Sequence, residues 1–267
     1  MNWTREDVIT NDKYLNAFPD DYFKTDIIIY KRGLLWRGQM RYPPRGPVGH
    51  ILCGHSDYGV TYETTCKYSA SIWWAVNSQS SNVRGLPLGI MNFVNEGFGL
   101  IVGDVDMMVD AVSKPRNIQN LAYANFSVDT YPSTRVNLME FSKTQPWITV
   151  GTPDSSPDGR RKFLEEVRNH SFVLCPRGNG VDTHRLWETL YMGSIPIVEQ
   201  DIAHAGWQDL PILFVTSWDE VTEERLLKEK ERIESLTWNM EKLRIGYWIK
   251  RINSDKPTTL SFIRKQV

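Results

Sequence analysis

The stretch from Phe172 to Val198, FVLCPRGNGVDTHRLWETLYMGSIPIV, constrains this chain more than any other. It reads as strand, glycine-rich loop, helix, turn and strand. Phe172 to Leu174 is a short apolar run of β-preferring type. Pro176, Gly178 and Gly180 break it. Asp182 or Thr183 can N-cap a helix carrying Leu186, Trp187, Leu190 and Tyr191 on its apolar side. Gly193 closes that helix, and Ile195 to Val198 forms a second strand. In α/β proteins, a βαβ unit with glycines at its first turn suits a phosphate, because the N–H groups at the helix start point at the anion.

The same alternation runs through the second half of the chain. Leu121–Val128 reads as a strand, and Asp129–Arg135 as a loop leading into a helix through Phe141. Arg160–Asn169 is an amphipathic helix with Phe163, Leu164 and Val167 inward. Ile212–Val215 is a short strand, Thr222–Ser235 a charged helix, and Asn239–Ile252 a final helix. Strands alternating with helices predict a parallel sheet covered on both faces, an α/β fold.

The first half is less regular. Asp26–Tyr30 and His50–Asp57 read as strands, the second ending in a polar loop, with a basic, proline-rich loop at Arg37–Pro47. Ser69–Asn77 suits a strand or a short helix, and Arg84–Ile90 a turn. Leu100–Val105 is a strand or the start of a helix running to Val112. The composition breaks at Ser113–Asn117. This divides the chain into an N-terminal lobe over 1–112, a second lobe over 113–238, and a helical segment over 239–267 that can pack back on the first lobe.

The 267 residues suffice for one large domain or two smaller ones. A net charge of −1 argues against nucleic acid or an anionic membrane as partner, so any anion must be held by local clusters. No apolar run is long enough to span a membrane, and the N-terminus lacks an apolar signal region. Three cysteines without a CxxC pair point to a reducing compartment, and the expectation is a soluble, cytoplasmic protein. Cys53 and Cys175 lie in apolar runs and read as buried thiols. The ten tryptophans suit core packing first and sugar stacking second.

The segment CPRGNGVDTHRLWETLYMGSIPIV resembles the C-terminal signature of exostosin-like, family 47 type glycosyltransferases and their microbial and large-virus relatives, algal-virus sugar transferases included. GHSDYGV (Gly54–Val60), LPLGI (Leu86–Ile90), ANFSVDTYPSTR (Ala124–Arg135) and DLPILFVTSWDE (Asp209–Glu220) are similar to shorter motifs of that family, in order over most of residues 50–220. The resemblance implies two Rossmann-like lobes facing a cleft, the GT-B type of fold in a compact version. It also implies a UDP-sugar donor, a glycan or glycoprotein acceptor, and no metal or other cofactor. Of the sugars the family allows, the viral relatives favour xylose, and a host-cell cytoplasm would be the setting if the chain is viral. An inverting transfer is expected.

On that reading, charge develops on a diphosphate leaving group, and Arg177 and Arg185 suit it because guanidinium binds phosphate oxygens in a bidentate way. Arg135 can reach the same anion, and the Thr183 hydroxyl and the N–H groups of Asp182 to His184 add donors. Glu188, one turn after Arg185, can accept from the ribose hydroxyls or pair with Arg185. Asp182 is a cap or a ligand. Gly178 and Gly180 permit positive φ and close approach, and Asn179 and His184 are candidate sugar or phosphate contacts. The base that takes the acceptor proton is Asp57, with His55 second, in the loop after a strand end. Tyr58, Trp73 and Trp74 are candidates for stacking on the acceptor.

Three other readings compete. Asp104-Val105-Asp106 is a DxD pattern of the kind that holds a divalent cation against a sugar nucleotide. His50, His55 and Asp57 could ligate a metal, but the odd spacing puts the two histidines on opposite strand faces. A non-catalytic nucleotide-sugar or glycan binder would bind UDP without turnover.

Overall fold

The computed structural model describes residues 3–10, 13, 17, 29–30, 35–36, 39–40, 50–53, 60–66, 72–91, 94–95, 100–101 and 103–255. It contains two parallel sheets. The first comprises β1 (Ile29–Tyr30), β4 (His50–Cys53), β5 (Ile72–Ala75) and β6 (Val83–Gly85), adjacent in that order. Two short antiparallel pairs accompany it: β2 (Leu35–Trp36) with β3 (Gln39–Met40), and β7 (Val94–Asn95) with β8 (Leu100–Ile101). Gln39–Met40 thus places a paired strand inside the stretch read as a loop.

The second sheet has five strands: β9 (Asn120–Ala124), β10 (Ile148–Val150), β11 (His170–Leu174), β12 (Ile195–Glu199) and β13 (Leu213–Val215). Their order is β10-β9-β11-β12-β13, all parallel. The chain leaves β9 toward one edge and then crosses back to β11, so the order reverses between β9 and β11. In open parallel sheets, that reversal opens a crevice beyond the carboxyl ends of the two strands. The loops after β9 and β11, Asn125–Tyr131 and Cys175–Thr183, flank it.

The described helices are α1 (Tyr62–Cys66), α2 (Val105–Ser113), α3 (Pro132–Thr144), α4 (Pro157–Asn169), α5 (His184–Tyr191), α6 (Glu223–Glu234) and α7 (Ile245–Ser254). Their ends follow local chemistry. Ser156, Thr183 and Thr222 cap α4, α5 and α6 by accepting from backbone N–H groups, and prolines open α3 and α4. Gly193, at φ 81°, terminates α5 in the left-handed region. The segment over Leu100–Val105 splits into β8 and, after Asp104 as N-cap, α2. The expected single helix over Asn239–Ile252 is a short 3₁₀ turn, Met240–Leu243, followed by α7. Arg244 is extended between them, and the Ile245 N–H donates to the Asp7 carbonyl at 2.9 Å instead of to the preceding turn.

Two apolar clusters sit on opposite faces of the second sheet. Ala122, Ala124, Phe172, Leu174, Leu138 and Ile148 belong to one. Tyr123, Val173, Phe163, Leu164, Leu186 and Trp187 belong to the other, which continues into Leu52 and Trp74 of the first sheet and Leu86 just after it. Trp187, Trp207 and Trp248 meet edge to face in succession, at 5.2 and 5.5 Å between centroids. Residues 3–10 lie between α5 and the C-terminal segment: the Ile9 N–H donates to the Tyr191 hydroxyl, which donates to the Leu243 carbonyl. No described helix is long and apolar enough to cross a membrane.

Candidate functional site

The residues expected around the anion sort into three groups at the β9–β11 crevice. The first is a clamp. Arg135, on α3, donates from Nη1 to the Ser127 carbonyl after β9, at 2.8 Å. It donates from Nε to the Arg177 carbonyl (2.8 Å) and from Nη2 to the Pro176 carbonyl (3.1 Å), both after β11. Burial, then repulsion from Arg185, pulls it down to about 10, so it stays protonated at neutral pH. Its guanidinium joins the two loops. Arg135→Ala is therefore expected to cost about 3 kcal/mol, because buried carbonyls lose their donors. The check is urea denaturation, with a lower midpoint at unchanged slope.

Arg177 is folded onto its own loop. It donates to the carbonyls of Gly178 (3.4 Å) and Asn179 (3.2 Å) and lies 4.4 Å from the Tyr131 ring centroid. Asn179 is exposed at the tip of the loop. Gly178 and Gly180 were expected to supply positive φ, but the positive-φ glycines among the described residues are Gly89 and Gly193. The need at Gly180 is space: a Cβ there would meet Asn77 Nδ2 at 2.6 Å.

The second group is a joint between the glycine loop and the end of the first sheet. Thr183, not Asp182, is the cap of α5. Asp182 instead accepts from the Leu88 N–H and the Trp187 indole N–H, both at 2.8 Å, and its own N–H donates to Asn77 Oδ1 at 2.7 Å. The carboxyl is 3% exposed, and burial pushes it up to about 7 against those hydrogen bonds. His184 donates from Nδ1 to the Gly89 carbonyl at 2.8 Å. Asn77 holds a left-handed φ of 52°, a conformation that asparagine tolerates better than most residues. The sequence reading did not single out Asn77.

The third group is ionic. Glu188, 3% exposed, has Arg160 Nη2 at 2.7 Å from one carboxylate oxygen and Arg185 Nε at 3.9 Å from the other. Both guanidinium carbons lie over the Phe163 ring, Arg160 at 5.1 Å and Arg185 at 4.4 Å from its centroid. Nε and Nη1 of Arg185 are buried with no hydrogen-bond acceptor, and so is Nε of Arg160, whose Nη2 meets the carboxylate as a close ion pair without hydrogen-bond geometry. Arg160 was missed. Its signal is a charged residue on an apolar helix stripe, at spacings of three, four and seven before Phe163, Leu164 and Val167.

Cys175 is buried beside Thr189, and burial pushes its thiol up to about 12, as suits an inert core cysteine. Trp73 and Trp74, 2% and 0% exposed, are core side chains and present no face for stacking. Successive residues of a strand point to opposite sides, and Trp73, Trp74 and Ala75 are all buried, so β5 is covered on both. Asp57, His55 and Tyr58, and the Cys53 side chain, lie outside the described residues. Asp104 caps α2 by accepting from the Met107 N–H, and Asp106 pairs with Arg5 at the surface, so the DxD carboxylates serve separate local roles. Among the described residues no three His, Cys, Asp or Glu side chains cluster as a metal would need.

Residues 133–255 match the family model of the RXYLT1 C-terminal domain. This is a xylosyltransferase-type, exostosin-related glycosyltransferase domain. The match covers a little under half of the chain, from the first turn of α3 to the end of α7, and contains all three side-chain groups apart from Ser127 and Tyr131 after β9, Asn77 after β5, and Leu88 and Gly89 after β6. It supports the glycosyltransferase side of the resemblance and says nothing of the viral or microbial side. No curated protein matches the chain.

Proposed function

We propose that this protein transfers a sugar, xylose favoured, from a UDP-sugar to a hydroxyl of a glycan acceptor, with inversion and without a metal. One observation carries the reading: a buried guanidinium, Arg185, with uncommitted donors at the start of the helix that follows the glycine loop. The reversed strand order beneath it and the match to a xylosyltransferase-type domain support the same reading.

In this mechanism the acceptor oxygen attacks the anomeric carbon, and its proton passes to a base in the loop after β4, Asp57 first and His55 second. The bond from that carbon to the diphosphate oxygen breaks. The charge left on UDP is met by Arg185 and the N–H groups at the start of α5. Arg135 and Arg177 shape the loop rather than present free guanidinium groups, since both are engaged by its carbonyls. The two lobes would close on the donor across the Asn77–Asp182 joint.

The test is a panel of UDP- and GDP-sugars, followed by release of nucleotide with and without a chelator. The expected result is turnover of a UDP-pentose that chelation leaves unchanged. Loss of activity on chelation would remove the metal-independent mechanism. Tight UDP binding with no turnover would make the protein a binder.

A further inference from the structure

Glu188 sits between two arginines that are unequally engaged. Arg160 Nη2 is in contact with the carboxylate at 2.7 Å, with both side chains less than a tenth exposed. Arg185 stands back at 3.9 Å, with Nε and Nη1 buried and without acceptors and about a quarter (24%) of its side chain open to solvent. Arg185 and Glu188 are three apart on one helix, so nothing in their spacing keeps them from closing to a full ion pair. The carboxylate charge is already met from α4.

We propose that Arg160 is a positioning residue for the anion site: by neutralising Glu188 it leaves Arg185 free to bind a diphosphate. This rests on the proposed function only for the identity of the anion. One negative charge between two positive ones leaves the buried group short of an anion. Both arginines hold buried nitrogens without acceptors, and the anion binds at Arg185 because its side chain is 24% exposed against 7% for Arg160. Without Arg160, Arg185 swings onto Glu188 and is lost to the ligand. Arg160 itself touches no ligand.

The probe is inorganic pyrophosphate, titrated calorimetrically against the full chain, with a thermal melt of each variant. Arg160→Met is expected to weaken pyrophosphate binding roughly tenfold or more, the loss of a charge-assisted hydrogen bond. Unchanged affinity in that variant overturns the proposal. Arg160→Met leaves a buried carboxylate unpaired and can fail to fold. The decisive comparison is therefore the wild type against Arg160→Met combined with Glu188→Gln, where neither member of the buried pair is left without its partner. With no carboxylate for Arg185 to swing onto, and the net charge of the three groups the same as in the wild type, the double variant is expected to bind pyrophosphate as the wild type does. A roughly tenfold loss in the double variant relative to the wild type would make Arg160 a direct ligand and overturn the positioning role. Absence of pyrophosphate binding in the wild type also overturns it. Turnover of UDP-sugars by the wild type is measured separately. A pyrophosphate pattern as expected without turnover defeats the proposed function alone, and turnover with no Arg160 effect defeats this inference alone.

Discussion

Replacing Arg185 by methionine is expected to lower sugar transfer by roughly 100- to 1,000-fold, the usual effect of removing one donor that stabilises charge in a transition state. The same change is expected to leave the fold no less stable. Nε and Nη1 of Arg185 are buried without acceptors, and such donors carry a desolvation cost of about 1–3 kcal/mol. Burial pulls this guanidinium below its ordinary value, which records the same cost. Against that stand its packing on Phe163 and a 3.9 Å contact to a carboxylate that already has Arg160. Methionine keeps most of the packing and loses the unpaired donors. A melting temperature held or raised, together with lost turnover and weakened UDP binding, is the signature of a group retained for ligand binding. Near-normal turnover in this variant would remove Arg185 from the mechanism.

The second large effect is a pH dependence set by Asp182. Its carboxyl is pushed from 3.8 to about 7 by burial, against hydrogen bonds from Leu88, Trp187 and Thr183. The folded state therefore holds a proton that the unfolded state releases. The stability it contributes is fully present below about pH 4 and is lost as pH rises through about 7, a span worth on the order of 4 kcal/mol. Glu220, which the Thr216 hydroxyl and then Arg225 hold at about 2, acts in the opposite sense only below its ordinary 4.5. Asp182→Asn removes the titration while keeping the shape. Denaturant unfolding of both proteins between pH 4.5 and 7.5 is expected to show the wild type losing stability relative to the variant as pH rises. A constant difference across that range would show that Asp182 is ionised throughout. Because Asp182 joins Leu88 to the glycine loop, the same titration places a buried charge at the joint between the two sheets as the solution becomes neutral.

The βαβ unit at Phe172–Val198 was legible because its signals are local. Apolar spacing, a capping threonine and a left-handed glycine act within a few residues, and the structure has strand, helix and strand at Phe172, His184 and Ile195. The same holds for the buried faces of α4 and α5. Strand β10 was not legible. Of its three residues only Ile148 is buried, so an edge strand leaves no alternation to read. Yet β10 is what makes the strand order reverse at β9 and so fixes where the crevice opens.

The division among the arginines shows the limit most clearly. By itself the sequence determined that a glycine loop, a helix start and several cations come together near residue 177. It could not say which cation is free. Arg135 is engaged by carbonyls after β9 and β11, Arg177 by its own loop, and Arg160 by Glu188 from a different helix. Residue type and spacing fix local conformation, whereas the partner of a buried charge is whatever packing brings beside it. Only the tertiary structure decided that Arg185 is the guanidinium that combines unpaired donors with a path to solvent, its neighbour Arg160 being held against Glu188 and closed off.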